Sequence, residues 1–300
     1  MKRKKILIFS GVILLFLVWG LSMFGLYLRE RGYFLESQKI RQYQRFLDFD
    51  LPQQMDLFYR ISLLDRPIGY FYSGLEGHFE DYYYNKKQEL MVMFTEITEM
   101  PVYIKVSMES SHNMDGSLMF QSGKLEVNRD TIRIQGNVVD KSAIFDLEYR
   151  DENYNMEFEL PDQYMTIDLL SPLNIRFSEF VLQETYELES FFPHMIDLPR
   201  TIYLTMEDIE DITIMGRNFR AYRVHIFDET RTFSSRLWVD SNNRILRQTF
   251  QDYIEIERIE EKDYLELVEH YEERKDATTW RQLPDLSPLL EGRWWQALSL

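Results

Sequence analysis

Histidine is the side chain most often used for proton transfer and metal binding, and this chain has five of them in 300 residues. They are His78, His112, His194, His225 and His270. None forms an HxH, HExxH or i,i+4 pair, the short spacings that bring two imidazoles to one metal ion. The spacing therefore predicts no metal site, and only a site assembled from distant parts of the chain is left open.

Nucleophilic and cofactor chemistry also lacks its usual motifs. The chain has no cysteine, which excludes disulfides, thiolate nucleophiles and cysteine-ligated metals. It has no GxSxG or SxxK sequence, and the stretch YSGLEG around Ser73 has no accompanying phosphate-loop lysine. These absences predict no catalytic residues and no cofactor, so we expect a protein that is not an enzyme.

Acidic side chains are abundant, with 50 Asp and Glu residues in the chain. Several are adjacent in sequence: Glu207 and Asp208, Glu210 and Asp211, and Glu260 and Glu261. We interpret these pairs as solvated, because glycosidase carboxyls must face each other across a cleft. The segment 240–244 begins like a calcium loop, but its third ligand position holds Arg244, so it is predicted to be a hairpin turn.

Two aromatic runs are the strongest candidates for an exposed contact surface, because sugars and peptides stack on such rings. They are Tyr82-Tyr83-Tyr84 and Trp294-Trp295. Aromatic side chains in β proteins more often fill the core, and that alternative applies to both runs.

The N-terminus has the pattern of a membrane anchor. Residues 1–5 carry four cations, and residues 6–28 form an uncharged apolar run. As a helix this run is about 35 Å long, enough to cross a hydrocarbon core of roughly 30 Å. The preceding cations favour a cytoplasmic N-terminus. The alternative is a cleaved signal peptide, whose apolar region is shorter, about 7 to 15 residues, and ends in a small-x-small site. We predict one transmembrane helix in a bacterial inner membrane, with the rest of the chain periplasmic.

The rest of the chain is strongly acidic. The formal charge of the whole chain is −16, and since residues 1–5 carry +4, residues 29–300 carry −20. Such a domain is repelled by nucleic acid and by anionic headgroups, so neither is an expected partner.

The residues after the anchor predict a spacer and then strands. Residues 29–54 are predicted to form a helical juxtamembrane spacer, because Ile40, Tyr43 and Leu47 have the spacing of one helical face. From Met55 onward apolar residues alternate at period two between polar turns, as in strands with one buried face.

The fold class follows from this alternation. We predict a mainly β protein with a large, curved, half-barrel-like antiparallel sheet, a few short helices, and two consecutive meanders at 55–190 and 191–258. Residues 259–300 are predicted to be a charged C-terminal segment and tail, and for 259–276 a helix and a continuing strand are both left open.

Four stretches, 66–76, 108–120, 212–224 and 235–250, resemble the β-rich extracytoplasmic region that precedes the catalytic domain in bacterial transglutaminase-like membrane proteins. The last two are also similar to the open antiparallel sheets of periplasmic lipoprotein carriers. The resemblance spans about 57–252 and consists of turn and strand patterns. It implies a β fold and a periplasmic location. It implies no activity, because that family's catalytic domain uses a Cys-His-Asp triad and this chain has no cysteine.

The function predicted from these features is a non-enzymatic interaction or envelope-assembly module that presents the concave face or the edge of its sheet to another envelope protein. The alternative is a lipid or lipoprotein handling protein with an apolar groove. The candidate groove residues are Phe71, Met91, Met93, Phe94 and Phe158.

Overall fold

The structure is a computed structural model that describes residues 40–42, 53–95, 101–114, 116–139, 141–160, 165–166, 180–191, 200–230, 233–242, 244–251 and 253–280. The predicted anchor at 6–28, Trp294-Trp295 and most of the predicted spacer lie outside these residues. Among the described residues, no helix has both the length and the apolar character that a membrane crossing requires.

The first meander contains eight antiparallel strands, each of which pairs with the next one along the chain. They are β2 (Gln54–Leu63), β3 (Arg66–His78), β4 (Tyr83–Phe94), β5 (Val102–Asn113), β6 (Leu118–Val127), β7 (Asp130–Val139), β8 (Ser142–Tyr149) and β9 (Glu152–Glu159), with a short 3-10 helix at Phe79–Asp81. The period-two alternation predicted all of these strands except β4, and the predicted ones form as expected.

The remaining strands belong to the other half of the sheet. They are β1 (Ile40–Gln42), β10 (Met165–Thr166), β11 (Thr185–Phe191), β12 (Arg200–Ile214), β13 (Arg217–Asp228), β14 (Ser234–Val239), β15 (Ile245–Phe250) and β16 (Ile254–Ile259). Strands β11 to β16 form the second meander, and β1 and β10 both pair in parallel with β11. A helix, α1 (Glu261–Ala277), follows β16.

The two meanders are parts of one sheet. The last strand of the second meander, β16, pairs with the first strand of the first meander, β2. Side chains reinforce this join: Tyr59 Oη donates to the Ile245 carbonyl at 3.1 Å, and Arg60 pairs with Glu257 at 3.2 Å. The predicted mainly β fold with one large antiparallel sheet is therefore confirmed.

The sheet bends back on itself. Strands β9 and β11 are thirteen positions apart in the strand order, about 62 Å in a flat sheet at the usual spacing of about 4.8 Å. Yet β9 ends at Glu159, and β10, which pairs with β11, begins at Met165. A chain of six residues spans at most about 22 Å, so the end of β9 lies within about 22 Å of β10, which is paired with β11. The sheet must therefore curve strongly enough to bring these two distant strands near each other.

Strand alternation gives the sheet two different faces. The core face carries Leu57, Tyr59 and Phe71, which pack with buried residues of β11 to β16. The helix face carries Tyr70 and Met91, which are buried under α1. Tyr264 of α1 meets Tyr70 edge to face with ring centroids 5.3 Å apart, a favourable aromatic geometry.

Two segments differ from or refine the expectations. The helical prediction for the spacer is wrong at 40–42, where the chain forms β1 and hydrogen-bonds to β11. Pairing to an existing strand is a tertiary interaction, and it overrides the local helical spacing. The open question at 259–276 is resolved as β16 ending at Ile259 and α1 beginning at Glu261. Acidic residues in the first turn of α1 and basic residues in its last turn match the helix dipole.

Candidate functional site

The last strand of the first meander, β9, is the candidate interaction site. It pairs with β8 through a two-residue turn, Arg150-Asp151, in which both residues have positive φ, 49° and 65°. On its other side β9 pairs with no strand of the described residues, and it is the end of the strand order. An unpaired edge of this kind exposes backbone donors and acceptors to which another strand can bind.

The hairpin register identifies the outward backbone groups. A two-residue turn makes its closing pair, Tyr149 with Glu152, a hydrogen-bonded pair, and every second pair after it is hydrogen-bonded too. The hydrogen bond from the Leu160 N–H to the Lys141 carbonyl, 2.7 Å, continues this series. The N–H groups of Asn153, Asn155, Glu157 and Glu159 therefore point away from β8.

The side chains of β9 divide between the two faces. Met156 and Phe158 are buried on the core face at 7% and 5% exposure. Glu157 and Glu159 are exposed on the helix face, and no described cation lies within ion-pair distance of either. The strand therefore has an apolar side and an acidic side.

The predicted groove residues do not form one groove. Phe71 and Phe94 both belong to the core-face cluster, whereas Met91 and Met93 are buried on the helix face under α1. Phe158 lies in a separate cluster formed by β6 to β9. The grouping was wrong because successive side chains of a strand point to opposite faces, so Met93 and Phe94 cannot line the same surface.

The predicted tyrosine surface is also divided. Tyr82 is 76% exposed at a turn, where its φ is 59°. Tyr83 is half-buried and stacks on His78 at 4.6 Å, and Tyr84 is fully buried against His112 at 5.0 Å. Tyr84 is thus a core residue, as the alternative interpretation stated, and Tyr82 is the ring most available to a partner.

An apolar cavity of about 430 Å³ lies at one end of the sheet, next to the β2–β3 and β15–β16 turns. Its apolar lining residues are Leu63, Leu64, Phe233, Phe250, Tyr253 and Ile254. Leu64 and Tyr253 are 68% and 59% exposed, so they present apolar surface beside the cavity. Sequence reasoning missed this cavity, although the apolar residue in the turn after Leu63 is a visible signal.

The helix face also has a polar groove across β2 to β9, with two adjoining cavities of about 500 and 430 Å³ that share Lys87, Glu109 and Ser122. Its charges compensate each other: Lys87 lies 3.7 Å from Glu109, and Arg133 lies 2.7 Å from Glu148. The groove therefore has no strong preference for a charged ligand.

One histidine does meet a carboxylate and a serine. The Nε2 atom of His225 is 2.9 Å from Ser234 Oγ, and its Nδ1 atom is 3.7 Å from Glu207 Oε1. The Glu207 carboxylate also binds Arg223 at 3.1 Å and Arg236 at 3.2 Å, so two guanidinium groups compete for it. Ser234 borders the apolar cavity, but the register places its hydroxyl beside His225 on the helix face. We therefore assign this network a structural role.

The other candidate ligand sites have simple explanations. The Asp240 carboxylate accepts the backbone N–H of Asn242 at 2.9 Å and of Arg244 at 3.0 Å, and it also binds the Arg244 guanidinium. The predicted hairpin turn at 240–244 is therefore confirmed. Within the described part of the chain, no group of three or more His, Asp or Glu side chains is placed to hold a metal ion.

A lysine in the sheet interior was not predicted. Lys86 lies on the core face of β4, beside Leu75 of β3 and Ser110 of β5, and is only 4% exposed. Burial lowers the pKa of Lys86 to about 7, because the ammonium form loses its hydration. Its neighbour Lys87 is exposed on the helix face.

No family model matches the chain, and no curated protein matches it. Among solved structures, a β-barrel-like protein of a domain of unknown function from Brucella abortus matches with a TM-score of 0.47 and 10% sequence identity, over 68% of this chain and 95% of that chain.

Proposed function

We propose that this chain is a non-enzymatic binding module, held at the outer side of a bacterial inner membrane by residues 6–28, that captures an extended segment of another envelope protein on β9. The observation that carries the proposal is the row of outward N–H groups at Asn153, Asn155, Glu157 and Glu159. An added strand binds such a row through backbone hydrogen bonds, and its side chains supply specificity. An anchor raises the effective concentration of both partners at the membrane.

The test is to remove one outward donor without disturbing the β8–β9 hairpin. Proline is tolerated at an edge position whose N–H points outward, so Glu157→Pro should leave the sheet intact and block strand addition. Glu157→Ala is the matched control, because it removes the same carboxylate and keeps the N–H. Loss of a buried hydrogen bond costs about 1 to 3 kcal/mol, so we expect at least about a fivefold loss of bound partner for the proline variant relative to the alanine variant.

The measurement is native mass spectrometry of the full chain after purification in mild detergent, with circular dichroism to confirm that both variants fold. A complex that survives equally in Glu157→Pro and Glu157→Ala would contradict the proposal. A chain that is always solitary would contradict it as well.

A second candidate function is favoured by one specific observation, the apolar cavity between the turns at Leu64 and Tyr253. Its lining residues Leu63, Phe233 and Ile254 pack against the core-face cluster, so the cavity borders the apolar core of the sheet. A fatty acyl chain is the ligand class that fits an apolar cavity of this kind.

A photoactivatable fatty acid tests this second function. We expect it to label peptides that contain Leu64 or Tyr253 in the full chain in detergent, and Leu64→Asp should reduce labelling about tenfold, because a carboxylate cannot be desolvated by the acyl chain. Leu265→Asp is the matched control, since Leu265 is a similarly exposed leucine on α1, at 57% against 68%. Equal labelling of both variants, or labelling elsewhere, would exclude acyl binding at this cavity.

A further inference from the structure

We infer that the segment captured by β9 is a strand in which Lys or Arg alternates with apolar residues, with its cations on the helix face and its apolar side chains on the core face. This inference rests on the proposed function of the β9 edge and names the chemistry of its partner.

The charge of β9 carries the first step. Its eight residues, ENYNMEFE, include three glutamates and no cation. Glu157 and Glu159 point from the helix face, and within the described residues neither has a basic partner. In an added strand the directly opposite side chains stand about 4.5 to 5.5 Å away, within reach of an ion pair. Lysine or arginine at these positions compensates the charge that β9 leaves uncompensated.

The neighbouring strand does not supply this compensation. On the helix face next to β9, Asp146 of β8 accepts a hydrogen bond from Asn155 Nδ2 at 2.9 Å and adds another negative charge. On the same face, Arg133 of β7 is already paired with Glu148 at 2.7 Å. Asp146 is therefore a further carboxylate that stands on β8 beside the row of Glu157 and Glu159, and it adds to the attraction for a cationic strand at this edge.

The core face fixes the alternate positions. Met156 and Phe158 belong to an apolar cluster with Phe145 and Leu147, and both are less than a tenth exposed. An added strand extends this surface by one row, and a charged side chain there would be placed against apolar atoms. The added strand is therefore expected to carry apolar side chains on its core face, and these alternate along the strand with the cations that lie opposite Glu157 and Glu159.

The same features exclude a second copy of β9 as the occupant. Two β9 edges placed side by side would bring the glutamates of both chains together, and like charges opposite each other destabilise a strand pair. An acidic segment is excluded for the same reason. The complementary charge thus selects a basic, alternating segment of another protein.

Two synthetic peptides of identical composition test the pattern, one with Lys and Val alternating over eight residues and one with four Lys followed by four Val. A third peptide alternates Glu and Val. Binding of each labelled peptide to the full chain in mild detergent is measured by fluorescence anisotropy. We expect the alternating Lys–Val peptide to bind at least about tenfold more tightly than either of the others.

A charge swap tests the assigned residues. In the double variant Glu157→Lys with Glu159→Lys, we expect Lys–Val binding to fall at least about tenfold and Glu–Val binding to rise by a similar factor. The double variant Glu269→Lys with Glu273→Lys is the control, because it changes the net charge equally at exposed positions of α1. It should leave both affinities within about twofold.

The outcomes separate this inference from the proposed function. If Glu157→Pro abolishes binding but the Lys–Val and Glu–Val peptides bind equally, the edge captures strands and the cationic partner is wrong. If the block peptide binds as well as the alternating one, the alternation is wrong. If Glu157→Pro binds the Lys–Val peptide as tightly as Glu157→Ala does, the peptide does not bind through the backbone of the β9 edge. Both this inference and the proposed function of the edge are then wrong.

Discussion

Replacing Lys86 with methionine is expected to raise the free energy of unfolding at pH 7 by about 3 to 5 kcal/mol. Lys86 is 4% exposed, and its burial lowers its pKa from 10.5 to about 7. Methionine keeps the length of the side chain and removes the ammonium group whose hydration is lost on folding. Chemical denaturation at pH 7, followed by circular dichroism, measures the difference.

The pH dependence of the free energy of unfolding is a second and more specific test of the same substitution. Between the folded pKa of about 7 and the unfolded pKa of 10.5, the unfolded chain binds the proton and the folded chain does not. Stability of the wild-type chain therefore rises with pH in this window, by about 1.4 kcal/mol per unit. We expect this slope between pH 7.5 and 9.5 to disappear in Lys86→Met.

Lys87→Met is the matched control, because its side chain is 64% exposed on the opposite face of the same strand. It should change stability by less than about 0.5 kcal/mol, as surface substitutions usually do, and leave the slope unchanged. Equal effects of the two substitutions would show that Lys86 is hydrated in the folded chain.

Replacing Gly69 with alanine is expected to destabilise the sheet by about 3 kcal/mol or more. A Cβ atom at this position would lie 1.9 Å from the Met91 carbonyl oxygen and 2.9 Å from the Val92 Cα atom. Both atoms belong to the backbone of β4, so relief requires that β3 and β4 separate. Gly69 also lies at the β-bulge where the register of β2 and β3 shifts between Ile61 and Ser62.

Gly216→Ala is the comparison for this effect. Gly216 has a φ of 68° in the β12–β13 turn, and a Cβ atom there would meet nothing within 4 Å. The expected cost is about 1 kcal/mol, from the left-handed backbone alone. Thermal unfolding measures the loss of stability in each variant. If Gly69→Ala is no less stable than Gly216→Ala, the close approach of β3 and β4 is contradicted.

The hairpins were the most predictable part of the fold, because their determinants are local. Turns expected near Asp65, Asn128 and Met215 are present, and all three residues have the positive φ of tight turns. The alternation of the flanking strands then determines which side chains share a face. These two features were sufficient to predict a mainly β protein with long antiparallel strands.

The candidate site was predictable only in part, because it depends on which strands end the sheet. The final hairpin of the first meander was visible, but no local feature shows that β9 lacks a further partner among the described residues. The prediction that Met93 and Phe94 line one groove was wrong, because hydrophobicity alone does not show on which face of the sheet a side chain lies. The burial of Lys86 could not be predicted either, since a lysine in an alternating strand is expected on the solvent-exposed face.

The joining of β16 to β2 has a consequence for how the chain folds. Most strand pairs connect neighbours in sequence and close short loops, whereas the contact of Tyr59 with Ile245 spans 186 residues and that of Arg60 with Glu257 spans 197. Closing so long a loop costs chain entropy before any contact repays it, and non-local pairing slows folding. We expect each meander to assemble by successive hairpins and their union to be the late, slow event, during which the unpaired borders of β2 and β16 are exposed to other chains.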